Sequence, residues 1–476
     1  MAITKISKSI NNVRNAILGN HFSRVVSPNS NAKYLDDLAE TLLSYVENIG
    51  VVTDKDLNLK NNDDISEILQ EFINNNSCGK LKFVTQNTYK LSSQVNITRK
   101  IEIDLGDVTL TTDNTHQTIK IYHDGCSIHN GNLDKIKLHF PAEEGYNFKE
   151  MTKIDSIKFT NFPTAAAIYG EVSGTKCARY VTFSNLIFEN NKYAVYGSFC
   201  DCIFSFNKLK TNVESARNFQ FSGGKNNVVL FNNIDGGTTG ITYLSNREET
   251  SKLLFENNLI QYNDLRNISE ESISLDIFGD NAAKVGVLLT TQIASISSNW
   301  ITVSGTFVAY SPLKMYAVVV DGTNAGNYSQ IVNVNSSTNT FEVADATEFS
   351  ADDNISIIMP AINNKILNNN LNGGCIAIWG NGLNNLIENN NLNGGFIRVA
   401  SLYGLSSSLI APSFHNIIRY NRVIDSKIDI KAQSFSGATI KTSVGNRVYS
   451  NIMINSEIKI DNQEENTEGT NYTLAN

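Results

Sequence analysis

The sequence predicts an all-β solenoid, a parallel β-helix, on three observations: a recurring asparagine-centred phrase, a spacing of 21 or 22 residues between equivalent points, and two-residue alternation within each recurrence. The phrase reads IFENNKY (187–193), LFNNIDGG (230–237), LFENNLIQYN (254–263), ILNNNLNGG (366–374), LIENNNLNGG (386–395), IIRYNRVIDS (417–426) and VYSNIMINS (448–456). Such a repeat buries its apolar face only by stacking on its neighbours.

Aligning the apolar cores that follow the asparagines puts Gln220, Thr242, Ser274, Ala377, Arg398 and Asp429 in one column. The steps are 22 residues from Gln220 to Thr242, 32 on to Ser274, 21 from Ala377 to Arg398 and 31 on to Asp429. This basic step, with occasional additions, suits three short strands per turn and is too short for paired-helix repeats. Around the column, Ile241 and Tyr243, Ile273 and Leu275, Ile376 and Ile378, and Ile397 and Val399 alternate with polar or small residues, so they are expected to point inward and the column outward to solvent. Asparagine tolerates left-handed backbone, and its amide can bond both the backbone and the equivalent amide one coil away, about 4.8 Å along the axis. The asparagines are therefore expected to be scaffold. Regular alternation of Ile, Leu, Phe and Val argues against a disordered low-complexity chain.

The chain has 476 residues, 41% of them hydrophobic, enough for a large core. Its 39 basic and 47 acidic side chains leave a net charge of -8, which argues against a dedicated nucleic-acid binder. Only 6 prolines fits a stacked sheet. Cys78, Cys126, Cys177, Cys200, Cys202 and Cys375 lack metal-site spacing, so buried free thiols are expected and no metal or cofactor. The N-terminus has no signal-peptide apolar stretch, and no run of apolar residues is long enough to insert in a membrane. Action outside a cell is then expected through lysis or as part of a particle.

Residues 1–60 do not share the repeat and are expected to form an N-terminal helical cap or attachment region. Tyr34, Leu35, Leu38, Leu42, Leu43 and Val46 predict an amphipathic helix over 32–48. A second helix is predicted from Ile65 to Asn74, capped by Asp63 or Asp64. The β-helix is expected over 61–283 and 362–462, with a polar C-terminal tail at 463–476. Between its two parts, 284–361 has no asparagine phrase and short strands such as Trp300–Val303 and Met315–Asp321, predicting a small inserted β-domain, either carbohydrate-binding or structural.

Residues 61–110, NNDDISEILQEFINNNSCGKLKFVTQNTYKLSSQVNITRKIEIDLGDVTL, combine an acidic-led helix, a strand and turn around Asn87-Thr88-Tyr89, and a strand carrying Leu105-Gly106. This resembles the opening of the pectate-lyase-like β-helix superfamily, in which phage tailspikes and capsular polysaccharide depolymerases commonly begin this way. Asn87-Thr88-Tyr89 replaces the usual Pro-Gly-Thr-Tyr. The resemblance implies a right-handed β-helix, a homotrimer, attachment to a phage tail or baseplate through the N-terminus, a place in the virion, and a bacterial surface polysaccharide as partner. The superfamily also holds lyases, esterases and non-enzymes.

Glycoside hydrolysis needs two carboxyl groups about 5–5.5 Å apart for retention or about 6.5–9.5 Å for inversion. The densest outward carboxylates lie in Ser269–Asn281, as Glu271, Asp276 and Asp280. Glu271 and Asp276 are about 16 Å apart on an extended strand, so each looks to a neighbouring coil. The column sets Glu248 against Asp280 and Trp379 against Asp276. Expected catalytic residues are Glu248, Asp276, Asp280 and Glu271, and expected substrate-binding residues are Trp379, Arg247, Glu249 and Arg398, the arginines suited to an acidic sugar. A lyase would need Tyr, His or Lys as base. Tyr243 is predicted inward, and no histidine falls between residues 140 and 414, which disfavours a His-based lyase or a Ser-His-Asp esterase. A tailspike depolymerase that hydrolyses its polysaccharide is the reading these residues favour; a non-catalytic receptor-binding protein on the same scaffold, or a lyase, are the alternatives.

Overall fold

The computed structural model describes residues 51–75, 79–174, 176–213, 215–244, 255–276, 286–306, 315–405, 409–434, 444–461 and 467–474. The helix predicted at 32–48 lies outside them, as do Arg247, Glu248, Glu249 and Asp280.

Each coil consists of three strands, as in Ile203–Ser205, Lys208–Lys210 and Arg217–Lys225, followed by Val228–Leu230, Asn233–Asp235 and Thr239–Leu244. Each of these strands pairs in parallel with its counterpart one coil on: Phe204 lies beside Val229, Leu209 beside Ile234, and Phe219 beside Ile241. The three ladders make a right-handed parallel β-helix. Its interior is aromatic in the N-terminal half, where Phe183 stacks on Phe204 at 4.8 Å and Phe221 meets Tyr243 at 4.6 Å, and aliphatic in the C-terminal half, where Ile376, Ile397 and Ile428 are fully buried.

Two adjacent residues divide the role expected of the turn asparagines. The left-handed position falls to Phe206, Phe231, Tyr262, Asn368, Asn389 and Tyr420, with φ between 55° and 58°. The residue after each is a buried asparagine: Asn207, Asn232, Asn263, Asn369, Asn390 and Asn421. Nδ2 of Asn207 donates to Oδ1 of Asn232 at 2.8 Å, and the chain of amides continues through Asn263, Asn369, Asn390, Asn421 and Asn451 to Asn471 at 2.9–3.0 Å. A second ladder links Asn227, Asn258, Asn364, Asn385, Asn416 and Asn446 at 2.9–3.1 Å.

The ends of the solenoid differ from the expected boundaries. Among the described residues strand pairing already includes Val51–Thr53, ahead of the expected start at 61, because the buried Asp54 accepts bonds from the Val84 N–H and the Tyr89 hydroxyl, at 3.0 and 3.1 Å, and so ties this segment to the next coil. The helix Ser66–Asn75 follows, with Asp64 Oδ1 accepting from the Ser66 N–H at 3.0 Å and Leu69, Phe72 and Ile73 laid on the core. At the other end, the expected tail carries two more strands, Thr467–Glu468 and Tyr472–Leu474, because Asn471 extends the amide ladder.

The inserted β-domain is a closed antiparallel barrel of six strands between Val287 and Ile358. Its own core holds Ile293, Met315, Ile331, Phe341 and Ile355. It is docked on the β-helix rather than tethered beside it: Val318 and Ile358 share an apolar cluster with Leu383, Ala400, Leu402 and Phe414. Polar contacts fix the fit, with Ser356 Oγ donating to the Ile410 carbonyl at 2.8 Å and the Ile410 N–H donating to Thr290 Oγ1 at 2.9 Å.

Asn263→Ala would leave buried partners on two coils unpaired, and is expected to destabilise the solenoid by about 3 kcal/mol. Asn393→Ala, at an exposed position, should change stability by less than about 0.5 kcal/mol. Guanidinium unfolding of both variants beside the parent checks this.

Candidate functional site

The third ladder turns one column of side chains away from the core. Pairing confirms the register from Gln220 through Thr242, Ser274, Ala377 and Arg398 to Asp429, and sets Asp276 beside Trp379. The inward alternates Ile241, Tyr243, Ile273 and Leu275 are fully buried, so Tyr243 is not available as a base.

These outward positions were expected in solvent, and several are covered instead. Gln220, Thr242, Ser274, Ala377 and Asp429 are 6%, 4%, 0%, 0% and 5% exposed. Trp379 accounts for the middle of the stretch. Its indole Nε1 donates to Glu271 Oε1 at 2.7 Å, and because Glu271 opens the preceding strand while Trp379 closes its own, the bridge passes over Ser274 and Ala377. Trp379 also packs against the apolar cluster beneath the inserted barrel.

Arg398 completes this cluster. Its guanidinium lies 5.2 Å from the Trp379 ring and 4.7 Å from the Phe396 ring, and Nε and an Nη donate to one oxygen of Asp429 at 3.1 and 2.7 Å. The Lys427 ammonium is 3.4 Å from the same oxygen. Of the expected site residues, the structure thus joins Glu271, Trp379 and Arg398 in one network and adds Asp429. Arg398 is held by an internal carboxylate, so it does not present an open fork to a sugar. The strand Glu271–Asp276 is unbroken, so its two ends are about 16 Å apart along the backbone, while the Glu271 carboxylate is held by the indole of Trp379, the residue in register with Asp276. Asp276 stands outward and half-buried at its far end.

The same column runs on toward the N-terminus through residues that the asparagine phrase does not reach. Lys120, His139, Tyr169, Tyr196 and Gln220 are successive partners in register. His139 and Tyr169 have ring centroids 5.0 Å apart, and Tyr169 stacks on Tyr196 at 5.9 Å with an interplanar angle of 8°. Tyr193 lies 5.3 Å from Tyr196. The Lys137 ammonium sits 5.6 Å from the Tyr169 centroid, and His139 Nε2 is 3.1 Å from Glu171 Oε2. Burial, with Lys120 adding to it, lowers the pKa of Lys137. Burial likewise holds His139 below the ordinary imidazole value despite Glu171. The signal for this cluster was alternation alone: Ile119-Lys120-Ile121, Leu138-His139-Phe140, Ile168-Tyr169-Gly170 and Val195-Tyr196-Gly197 each set one polar or aromatic residue between inward ones. From His139 to Arg398 the face crosses seven coil steps, about 34 Å.

No family model matches the chain, and no curated protein matches its sequence. Among solved structures, it is similar to the A-module of the Azotobacter vinelandii mannuronan C-5 epimerase AlgE6, at 11% identity over 89% of this chain and 99% of that one, with a TM-score of 0.47. A tailspike protein of E. coli bacteriophage HK620 in complex with pentasaccharide matches at 9% identity over 93% of this chain and 70% of that one, with a TM-score of 0.41. The catalytic domain of a GH87 alpha-1,3-glucanase in complex with tetrasaccharides matches at 11% over 89% and 71%, with a TM-score of 0.38. At such values the likeness concerns the winding of the chain and nothing of the site.

Two outcomes follow from the geometry. Removing one partner of the Arg398–Asp429 pair, by Arg398→Ala or Asp429→Ala, should cost about 3 kcal/mol, whereas the joint change Arg398→Met with Asp429→Leu should cost less than either. Urea unfolding of the four proteins measures it. For His139, the folded pKa lies below the unfolded one, so the unfolded chain takes up its proton first. The stability that neutral His139 supports is present above about pH 6.5 and is lost as the pH falls below it. His139→Gln should flatten that part of the profile in denaturant midpoints taken across this range.

Proposed function

We propose that this chain is a tailspike-like depolymerase that binds and hydrolyses a bacterial surface polysaccharide of capsular type. The observation that carries the reading is the outward column of the third ladder, in register from Lys120 to Asp429: basic, aromatic and amide side chains at its N-terminal end, the small Thr242, Ser274 and Ala377 in the middle beside Asp276 and Trp379, and Arg398 with Asp429 at its C-terminal end. A linear glycan suits such a line, because rings cover its C–H faces while amides and charges bond its hydroxyls. Most positions of a solenoid face are plain solvated polar groups. Here the column instead gathers tyrosines, an indole and half-buried ionisable groups.

Hydrolysis is assigned to the acidic stretch around Asp276, with Glu271, Glu248 and Asp280 as the other carboxyl groups. The Glu271 carboxylate is engaged by the Trp379 indole, so it is not a free partner for Asp276. Asp276 then acts with another carboxyl group, for which Glu248 and Asp280 are the candidates. Trp379 and Arg398 shape the floor beside it. Homotrimeric assembly, attachment to a phage tail through the N-terminal region, and a place in the virion follow from the family resemblance and belong to the same proposal.

A second reading, a receptor-binding protein without catalysis, is favoured by the closure of Glu271, Trp379, Arg398 and Asp429 on one another. Incubation of the chain with capsulated bacteria separates the two. Asp276→Asn is expected to abolish release of reducing ends, and Glu271→Gln to reduce it, in proteins that stay folded. Full activity in both variants would remove the assigned site, and binding without any release would favour the receptor-binding reading. Product carrying the ultraviolet absorbance of an unsaturated uronate would make the enzyme a lyase.

A further inference from the structure

The N-terminal end of the outward face is basic. The whole chain has a net charge of -8, yet Lys120, Lys137, Lys192 and Arg217 lie on or beside four of five successive coils of the outward column, and the coil between Lys137 and Lys192 carries Tyr169 and Glu171, the carboxylate paired to His139. Among the described residues, neither Lys120 nor Lys137 has a carboxylate partner. Their charges act on each other, since the Lys120 ammonium helps to lower the pKa of Lys137. Two like charges brought together on a partly desolvated surface cost free energy unless an anion joins them. Beside them, Tyr169 and Tyr196 form a parallel stack, with Lys137 over the first ring and Lys192 5.8 Å from the centroid of Tyr193. Rings and ammonium groups in one line match a ligand with an apolar sugar face and a carboxylate in the same unit.

We infer that this end of the face is a subsite for an acidic sugar, its carboxylate held between Lys120 and Lys137 and its ring carried along Tyr169 and Tyr196. The inference rests on the reading of this face as a glycan-binding surface, and it adds the class of glycan: one whose repeating unit carries a carboxylate. On this acidic protein Lys120 and Lys137 are interleaved with tyrosines, which suits a glycan carboxylate better than the extended basic stripe that a nucleic acid requires. The cluster sits five coil steps from Ser274, beside Asp276, so it would hold a chain several units from the bond assigned to cleavage.

The test is calorimetric titration of the full chain with tetragalacturonate, with maltotetraose as neutral probe and a single-stranded oligonucleotide of equal charge as polyanion probe. Tetragalacturonate is expected to bind, more weakly at high salt, and Lys120→Gln and Lys137→Gln are each expected to weaken it about tenfold, the size of one charge-assisted hydrogen bond. Lys137→Arg should keep most of the affinity, and Lys459→Gln, at the far end of the same column, should leave it unchanged. Matching thermal midpoints would establish that the glutamine variants remain folded. Equal binding of maltotetraose, unaffected by Lys120→Gln and Lys137→Gln, would overturn the acidic subsite and leave the glycan-binding reading standing. Binding of neither sugar would overturn both. An oligonucleotide bound as tightly as the galacturonate would also overturn it, in favour of a general attraction for polyanions.

Discussion

In this solenoid an asparagine amide has every one of its hydrogen-bonding groups used. Asn263 accepts on Oδ1 from the backbone N–H and the Nδ2 of Asn232, at 3.0 and 2.9 Å, and donates from Nδ2 to the Val229 carbonyl and to Oδ1 of Asn369, at 3.0 and 2.9 Å. Buried amides in a low-dielectric interior are costly when partly paired and rigid when fully paired. A coil slipped by one residue would leave a whole row of them unpaired and would also turn its apolar residues outward. From Asn207 to Asn471 the register of the coils therefore depends on this interaction, and through the register so do the outer-face side chains of those coils. The ladder even spans the insertion: Asn258 bonds Asn364, and Asn263 bonds Asn369, with the barrel looped out between them.

Much of this was legible because the ladder leaves a trace in the sequence. The spacing of the asparagine phrase sets the column from Gln220 to Asp429, with Asp276 beside Trp379. What could not be read was the division of labour within each turn. Asparagine suits both the left-handed bend and the inward amide, so pairs such as Asn368-Asn369 hide which residue does which. Phe206-Asn207, Phe231-Asn232 and Tyr262-Asn263 separate the two roles, since only the second residue is invariantly an amide in the ladder and the first tolerates an aromatic ring at positive φ. The coils before Phe188 lack the phrase, their interior being packed by Ile, Leu and Phe without an amide row. That is why Lys120, His139 and Tyr169 escaped a search organised by asparagine.

The reading of the outer face was correct in direction and wrong in exposure. Alternation fixes which way a side chain leaves the strand, but long side chains at the strand ends can fold back over short ones in the middle. Ser274 and Ala377 are small, and Trp379 and Glu271 reach across them. Such closure needs long-range partners: Glu271 and Trp379 are separated by the entire inserted barrel in sequence, and Arg398 finds Asp429 on the next coil. Sequence spacing indicates that these residues are neighbours. It does not indicate that they satisfy one another.

The two ends of the face consequently stand in different electrostatic states. At the C-terminal end Arg398 is neutralised by Asp429, with two rings covering the guanidinium, so the charge there contributes to shape and rigidity more than to attraction. At the N-terminal end Lys120 and Lys137 repel each other on a surface that burial has partly desolvated, and beside them stand the stacked rings of Tyr169 and Tyr196. A paired charge is already spent on the fold, whereas two unpaired like charges hold free energy that an incoming anion can release. Since both ends stand on one continuous parallel strand ladder, seven coil steps from His139 to Arg398 and about 34 Å long, a chain-like ligand attracted at the basic end would be aligned with the acidic stretch around Asp276 without any movement of the scaffold.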